Sequence, residues 1–158
     1  MKLLSTLAFA LALTAPQAHA ASTGTLLLQG VVAVVNNITV TPNGTSNTTL
    51  NITGGENGKL VASVLEQSNN IAGYKINVKS QNSSELRNLT DAQKKTTYQL
   101  SYDGASAISL SSNYQQVKNV TSLTSPTDTS EVRVNVTAFA AAPAGTYEDT
   151  VTFQIVAN

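Results

Sequence analysis

Apolar and polar residues alternate with a period of two in four stretches of the chain. These stretches are residues 74–79, 98–102, 132–136 and 151–155. Such alternation predicts strands that bury one face and leave the other in water. Weaker strands are predicted at residues 37–41, 48–53, 60–66, 105–110 and 116–120. No stretch has a convincing helical period. The one candidate for a short helical turn is residues 86–95, with Thr90 as its N-cap.

Turn-forming residues separate these stretches and set the fold class. Asp103-Gly104 is the strongest hairpin signal, because this pair accepts the positive φ angles of a tight two-residue turn. Short strands with regular turns predict an all-β fold, an antiparallel immunoglobulin-like β-sandwich of about 8–10 strands. No repeat or linker divides residues 21–158, which are therefore predicted to form a single domain.

One stretch does not alternate. Residues 26–35, here called the N-terminal apolar segment, are apolar on both faces apart from Gln29 and Gly30. A strand of this kind cannot be an ordinary edge strand exposed to water. Two interpretations remain open. Residues 21–29 form an arm that completes a neighbouring molecule, or the segment is an internal strand of a complete monomer.

The first twenty residues have the organisation of a secretory signal. Lys2 is followed by an apolar run over residues 3–13, and Ala18-His19-Ala20 matches a small-x-small cleavage site. The prediction is an exported protein of the periplasm, the cell surface or fimbrium, or the extracellular medium. After the signal, no apolar run reaches the ~20 residues of a membrane helix, so membrane insertion is not expected.

Composition argues against catalysis. His19 is the only histidine and leaves with the signal, and the chain has no cysteine and no tryptophan. The commonest general base, the thiol nucleophile and the preferred zinc ligands are then missing. We therefore expect no enzyme, no catalytic residues, no cofactor and no metal. Nine basic residues balance nine acidic ones, so no basic surface for nucleic acid is expected.

The carboxylates and tyrosines have ordinary interpretations. Glu148 and Asp149 are adjacent, so on a strand they face opposite ways and are expected in solvated or turn positions. Tyr147 follows Gly145-Thr146 and is a candidate tyrosine corner. Tyr114 lies in the polar loop 111–116 and is predicted to be exposed, as a possible ligand contact. The alternating tyrosines are expected in the core with their hydroxyls at the rim: Tyr74, Tyr98 and Tyr102.

Residues 143–155, which read PAGTYEDTVTFQI, resemble the closing hairpin of bacterial fimbrial subunits and of spore-coat-U-like secreted proteins. The resemblance implies an incomplete sandwich, a periplasmic chaperone, an outer-membrane usher, and identical or related subunits as partners. A neighbour's N-terminal strand would complete each sandwich by strand addition. Unlike many such subunits, this chain has no disulfide, and Ala157 stands where an aromatic residue is often found.

The resemblance also implies site residues. Leu26 and Leu28 would be the donor-strand side chains that enter a neighbour's groove. If the opposite face of the strand is turned toward the groove, Leu27 would enter it instead. Val151, Phe153 and Ile155 would line the acceptor groove. The function expected is that of a fimbria-like structural and adhesive subunit. The alternative is a self-contained monomeric β-sandwich, secreted or periplasmic, that binds a glycan or a protein.

Overall fold

The computed structural model describes residues 21–158, so the predicted signal at residues 1–20 lies outside the described part. The chain divides into two units, Met1–Val32 and Ala33–Asn158. Residues 21–32, the described part of the first unit, contain no helix and no strand. The second unit contains all nine strands of the structure.

The fold is all-β, as predicted. Residues 21–158 contain no helix, and hence none that is long and apolar enough to cross a membrane. All strand pairs are antiparallel. The strands are β1 Asn36–Pro42, β2 Glu56–Ser68, β3 Tyr74–Ser80, β4 Glu85–Asn88, β5 Lys95–Tyr102, β6 Gln115–Val120, β7 Thr127–Val136, β8 Tyr147–Glu148 and β9 Val151–Ala157.

The strands form two sheets that share one core. The larger has the order β1-β2-β7-β5-β4-β8, and the smaller has the order β6-β3-β9. Val64 and Leu100 of the large sheet and Ile76 and Val78 of the small sheet are all buried in the same hydrophobic cluster. The arrangement is therefore sandwich-like. It leaves β1 at one edge of the large sheet and β9 at one edge of the small sheet.

Most of the predicted strands are present. The four strongly alternating stretches lie within β3, β5, β7 and β9, and three weaker stretches lie within β1, β2 and β6. The Asp103-Gly104 turn is confirmed: φ is 52° at Asp103 and 74° at Gly104. The Ala105 amide donates to the Tyr102 carbonyl at 3.0 Å and closes the turn.

Three local predictions are wrong. Residues 48–53 form turns, in which the Thr48 and Thr49 hydroxyls both donate to the Thr45 carbonyl. Residues 105–110 make only a single bridge, between Ile108 and Leu100. Residues 86–95 contain no helical turn, because Asn88 ends β4 and its side-chain oxygen caps the following turn at the Thr90 amide. At residues 48–53 and 88–90, side-chain hydrogen bonds to the local backbone replace regular structure.

Candidate functional site

The edge strands β1 and β9 lie side by side without pairing. Residues of the two strands approach within 8 Å between Cα atoms, yet β1 pairs only with β2, and β9 pairs only with β3. Within the described residues, each strand therefore has one edge whose backbone groups make no ladder. An unpaired edge is a template for another strand.

An apolar groove opens between these two edges. Its volume is about 210 Å³. We call it the β1–β9 groove. Its walls are Val40 and Pro42 of β1, Leu50 of the following loop, and Val151 and Phe153 of β9; its floor includes core residues Leu86, Leu100, Val132 and Val134. On this side of the sandwich, a gap therefore remains between the edge of the large sheet and the edge of the small sheet.

The inward face of β9 shows how incomplete the closure is. Val151, Phe153 and Ile155 point inward and pack against the core, but each is only partly buried. The neighbouring strand β3, which lies inside the same sheet, buries Tyr74, Ile76 and Val78 almost completely. On the other side of the groove, Val40 is 42% exposed. Apolar surface at these positions remains accessible to a further strand.

The N-terminal apolar segment, taken by itself, is also exposed. Leu26, Leu27 and Leu28 have exposed fractions of 83%, 81% and 84%, and Val31 and Val32 are similar. Residues 21–35 form no strand within this chain, which differs from the interpretation of the segment as an internal strand. Several large apolar side chains in a row rarely stay in water unless they belong to an interaction surface.

The predicted acceptor residues are partly brought together. Val151 and Phe153 line the β1–β9 groove, whereas Ile155 packs against the core beyond its lining. Sequence reasoning missed the opposite wall, formed by Val40 and Pro42. The alternation of Ile38 and Val40 indicates a strand, but nothing in the sequence indicates that this strand lies beside β9. The donor and acceptor roles of these residues stay predictions.

Asp149 lies at one end of the groove and is held in place by four hydrogen bonds. Its Oδ2 accepts from the hydroxyls of Tyr98 at 2.7 Å and Ser80 at 2.5 Å. Its Oδ1 accepts from the amides of Asn82 at 2.9 Å and Thr150 at 2.7 Å. Asp149 lies in the connection between β8 and β9, one of the two positions expected for it, and its carboxylate is bound by neighbouring strands instead of pointing into solvent. This carboxylate joins the chain before β9 to β3 and β5.

The other end of the sandwich contains a buried polar cluster around Glu66 of β2, whose side chain is fully buried. Its carboxylate accepts from the hydroxyls of Tyr74 at 2.6 Å, Tyr102 at 2.5 Å and Ser130 at 2.7 Å. The Lys118 ammonium lies 3.2 Å from Glu66 Oε2. The tyrosine hydroxyls were expected at the rim of the core. The hydroxyls of Tyr74 and Tyr102 are instead buried, and each keeps a hydrogen bond because it donates to the Glu66 carboxylate.

The charges in this cluster stabilise one another. Burial alone would lower the pKa of Lys118, but hydrogen bonds to Asp128 and Asp103 raise it above its ordinary value. The hydrogen bond from Lys118 also lowers the pKa of Asp128. Burial, and then the hydrogen bond to Glu66, raise the pKa of Tyr102 and Tyr74. Each of these shifts favours the form present near neutral pH, so Lys118 and Asp128 stay charged there and the hydroxyls of Tyr74 and Tyr102 stay neutral.

Two other tyrosines lie outside both clusters. Tyr114 is 42% exposed, as expected, and the Lys79 ammonium lies 4.7 Å from the centre of its ring. Its role as a ligand contact stays a prediction. The Tyr147 hydroxyl donates to the Pro143 carbonyl at 3.0 Å, four residues upstream. This contact confirms the predicted tyrosine corner and fixes the turn that leads into β8.

Residues 21–158 contain no group of three or more His, Cys, Asp or Glu side chains placed to hold a metal ion. A scan against protein-family models finds no match for the chain. No curated protein is significantly similar to it in sequence. The candidate site therefore has to be interpreted from its own geometry.

Proposed function

We propose that the chain is an exported structural subunit that associates with further copies of itself by β-strand addition. In this proposal the N-terminal apolar segment of one copy fills the β1–β9 groove of the next. The observation that carries it is the open apolar groove between two adjacent edge strands that do not pair with each other. The signal-like residues 1–20 and the fimbria-like residues 143–155 support export and assembly at the cell surface.

The N-terminal apolar segment is long enough to run along β9, and it is apolar like the groove. β9 contains 7 residues, which corresponds to about 23 Å of strand. Seven residues of the N-terminal segment cover the same distance. A strand laid along the free edge of β9 would pair with its unpaired backbone groups and cover Val151 and Phe153. Where β1 and β9 approach within 8 Å, the two strands would have to separate to about 9–10 Å, twice the spacing of paired strands. Main-chain pairing combined with side chains seated in an apolar groove is the general form of strand addition.

The sequence of the segment indicates which set of alternate side chains faces the groove. The even positions, from Leu26 and Leu28 to Val32 and Val34, contain only apolar residues and Gly30. The odd positions include Thr25 and Gln29. Because alternate residues of a strand face opposite sides, the even phase places Leu26 and Leu28 in the groove. Each leucine that is fully buried contributes about 1.5–3 kcal/mol.

We expect the double substitution Leu26→Asp, Leu28→Asp to abolish self-association. Two carboxylates would have to enter an apolar groove, and each costs several kcal/mol without a partner. Since 1.4 kcal/mol corresponds to a factor of ten, the affinity between copies should fall by roughly 1000-fold or more. Size-exclusion chromatography with light scattering, on chains that begin at Ala21, measures the change. We call this variant the donor-blocked chain.

The matched control is Ile71→Asp, Leu89→Asp. These two side chains are also exposed, at 86% and 66%, and neither lines the groove. The control should assemble like the unmodified chain. An unmodified chain that remains a monomer at high concentration contradicts the proposal and favours a self-contained binding module. Equal loss of assembly in both variants contradicts the assignment of the donor strand.

A further inference from the structure

The side chain and amide of Asn69, the first residue after β2, bind the backbone just before β1. The Asn69 amide donates to the Val35 carbonyl at 3.2 Å, and the Val35 amide donates to Asn69 Oδ1 at 2.7 Å. Asn69 Nδ2 also donates to the Ala33 carbonyl at 2.8 Å. These three bonds continue the β1–β2 pairing past its last register pair, Asn36 with Ser68. Residues 33–35 are therefore held in line with β1.

This placement matters because a chain's own segment is the strongest competitor for its groove. A segment tethered to the same molecule has an effective concentration on the order of millimolar. At micromolar protein concentration, insertion into the chain's own groove would then exceed insertion into another copy by roughly 100-fold or more. A chain that polymerises by strand addition needs a feature that excludes the segment from its own groove.

The residues before β1 are unsuited to the reversal that self-insertion needs. To run back beside β1, the chain must turn sharply next to Asn36, and tight turns favour Gly, Asn or Asp at positive φ. Residues 33–35 are Ala-Val-Val, which disfavour such angles. Asn36 and Asn37 have suitable side chains, but both belong to β1 and pair with Ser68 and Gln67.

The nearest glycine does not solve this problem. A two-residue turn at Gln29-Gly30 would place Leu28 opposite Val31 and Leu26 opposite Ala33. Since residues 33–35 precede the Asn36 end of β1, both leucines would lie beyond that end. The groove, which begins at Val40 and Pro42 on this strand, would remain empty.

From these observations we infer that Asn69 is a positioning residue that prevents the N-terminal apolar segment from filling the groove of its own chain. The groove then stays open to the segment of a second copy. The inference rests on the proposed function. A contact of this kind joins two different surfaces of the same molecule, so it repeats without closing and builds linear chains.

The test combines removal of the three bonds with a turn that permits reversal. The turn variant is Ala33→Asn, Val35→Gly, which favours a three-residue turn at residues 33–35 and would place Leu28 opposite Val40 and Leu26 opposite Pro42. The combined variant adds Asn69→Ala. The bonds from Asn69 reach only backbone atoms of Ala33 and Val35, so the turn substitutions by themselves leave their partners in place. The turn variant should assemble like the unmodified chain. The combined variant should be at least roughly 100-fold richer in monomer at micromolar concentration.

A second readout separates a filled groove from a damaged one. The probe is a fluorescent peptide of residues 21–35. It should bind the donor-blocked chain and fail to bind the monomeric combined variant, whose groove is already filled. A combined variant that still polymerises, or a monomer that binds the peptide, overturns the role of Asn69 while leaving strand addition intact. An unmodified chain that does not assemble, with a donor-blocked chain that does not bind the peptide, overturns the proposed function itself.

Discussion

Replacement of Glu66 by leucine is expected to lower the free energy of unfolding by roughly 3–5 kcal/mol. Leucine has a similar size and would leave no large cavity, so the loss comes from the partners. The hydroxyls of Tyr74, Tyr102 and Ser130 would lose their acceptor inside the core, and each unsatisfied buried group costs about 1–3 kcal/mol. Lys118 would lose its innermost carboxylate but keep Asp103 and Asp128.

Urea unfolding followed by circular dichroism measures this effect, on the donor-blocked chain so that assembly does not add to stability. Glu66→Gln should be milder, because the amide oxygen still accepts hydrogen bonds. Glu131→Ala is the control: this carboxylate pairs with Arg133 at the surface, where both side chains are largely exposed, and about 1 kcal/mol or less is expected. A Glu66→Leu chain as stable as the control would show that the buried cluster does not hold this end of the sandwich together.

Gly73→Ala is expected to be the most damaging substitution of a glycine, with a loss of more than about 3 kcal/mol. Gly73 precedes β3 and has a φ of +84°. A Cβ atom there would lie 1.8 Å from the Val120 carbonyl oxygen at the end of β6. Because the obstacle is backbone, relief requires β3 and β6 to move apart at Tyr74, which pairs with Val120. Urea unfolding of the same monomeric background measures the loss.

Gly104→Ala separates the steric part of this effect from the conformational part. Gly104 has a similar φ of +74°, but a Cβ atom added there would have no other atom within 4 Å. Only the cost of the left-handed conformation applies, about 1–2 kcal/mol. If the two alanine variants lose the same stability, the close approach of Gly73 to β6 contributes nothing.

The fold could be predicted from local periodicity because most strands bury one face completely. Ile76 and Val78 alternate with polar residues since β3 is covered on one side by the core and faces water on the other. The short strands β4 and β8 were not predicted, since two to four residues are too few to show a period. Residues 48–53, predicted as one of the weaker strands, fold into turns because their threonine hydroxyls bind the local backbone.

The candidate site was predictable only in part, since it depends on contacts between distant residues. The apolar character of residues 26–35 and the alternation at Val151 and Phe153 are visible in the sequence. The pairing partners of β1 and β9, and hence the groove between Val40 and Phe153, follow from the order of the strands. The role of Asn69 is likewise invisible locally, because its bonds to Ala33 and Val35 span more than thirty positions.

The proposed strand addition would link the stability of the fold to assembly. The chain has no cysteine, so no disulfide supplements packing and hydrogen bonds. A strand that fills the β1–β9 groove binds only the folded state and therefore stabilises it by mass action, by about 2.7 kcal/mol at one hundred times its dissociation constant. Addition of the peptide of residues 21–35 to the donor-blocked chain should accordingly raise its resistance to urea.

The most direct measurement is hydrogen exchange at the free edge of β9, detected by NMR on the donor-blocked chain with and without the peptide of residues 21–35. Strand addition predicts that the β9 amides that make no bond to β3 exchange freely alone and become protected when the peptide is bound. At a free peptide concentration of about one hundred times its dissociation constant, about 1% of the grooves are empty, so the protection should rise by roughly 100-fold. Unchanged exchange along β9 at the same peptide concentration would contradict strand addition at this edge.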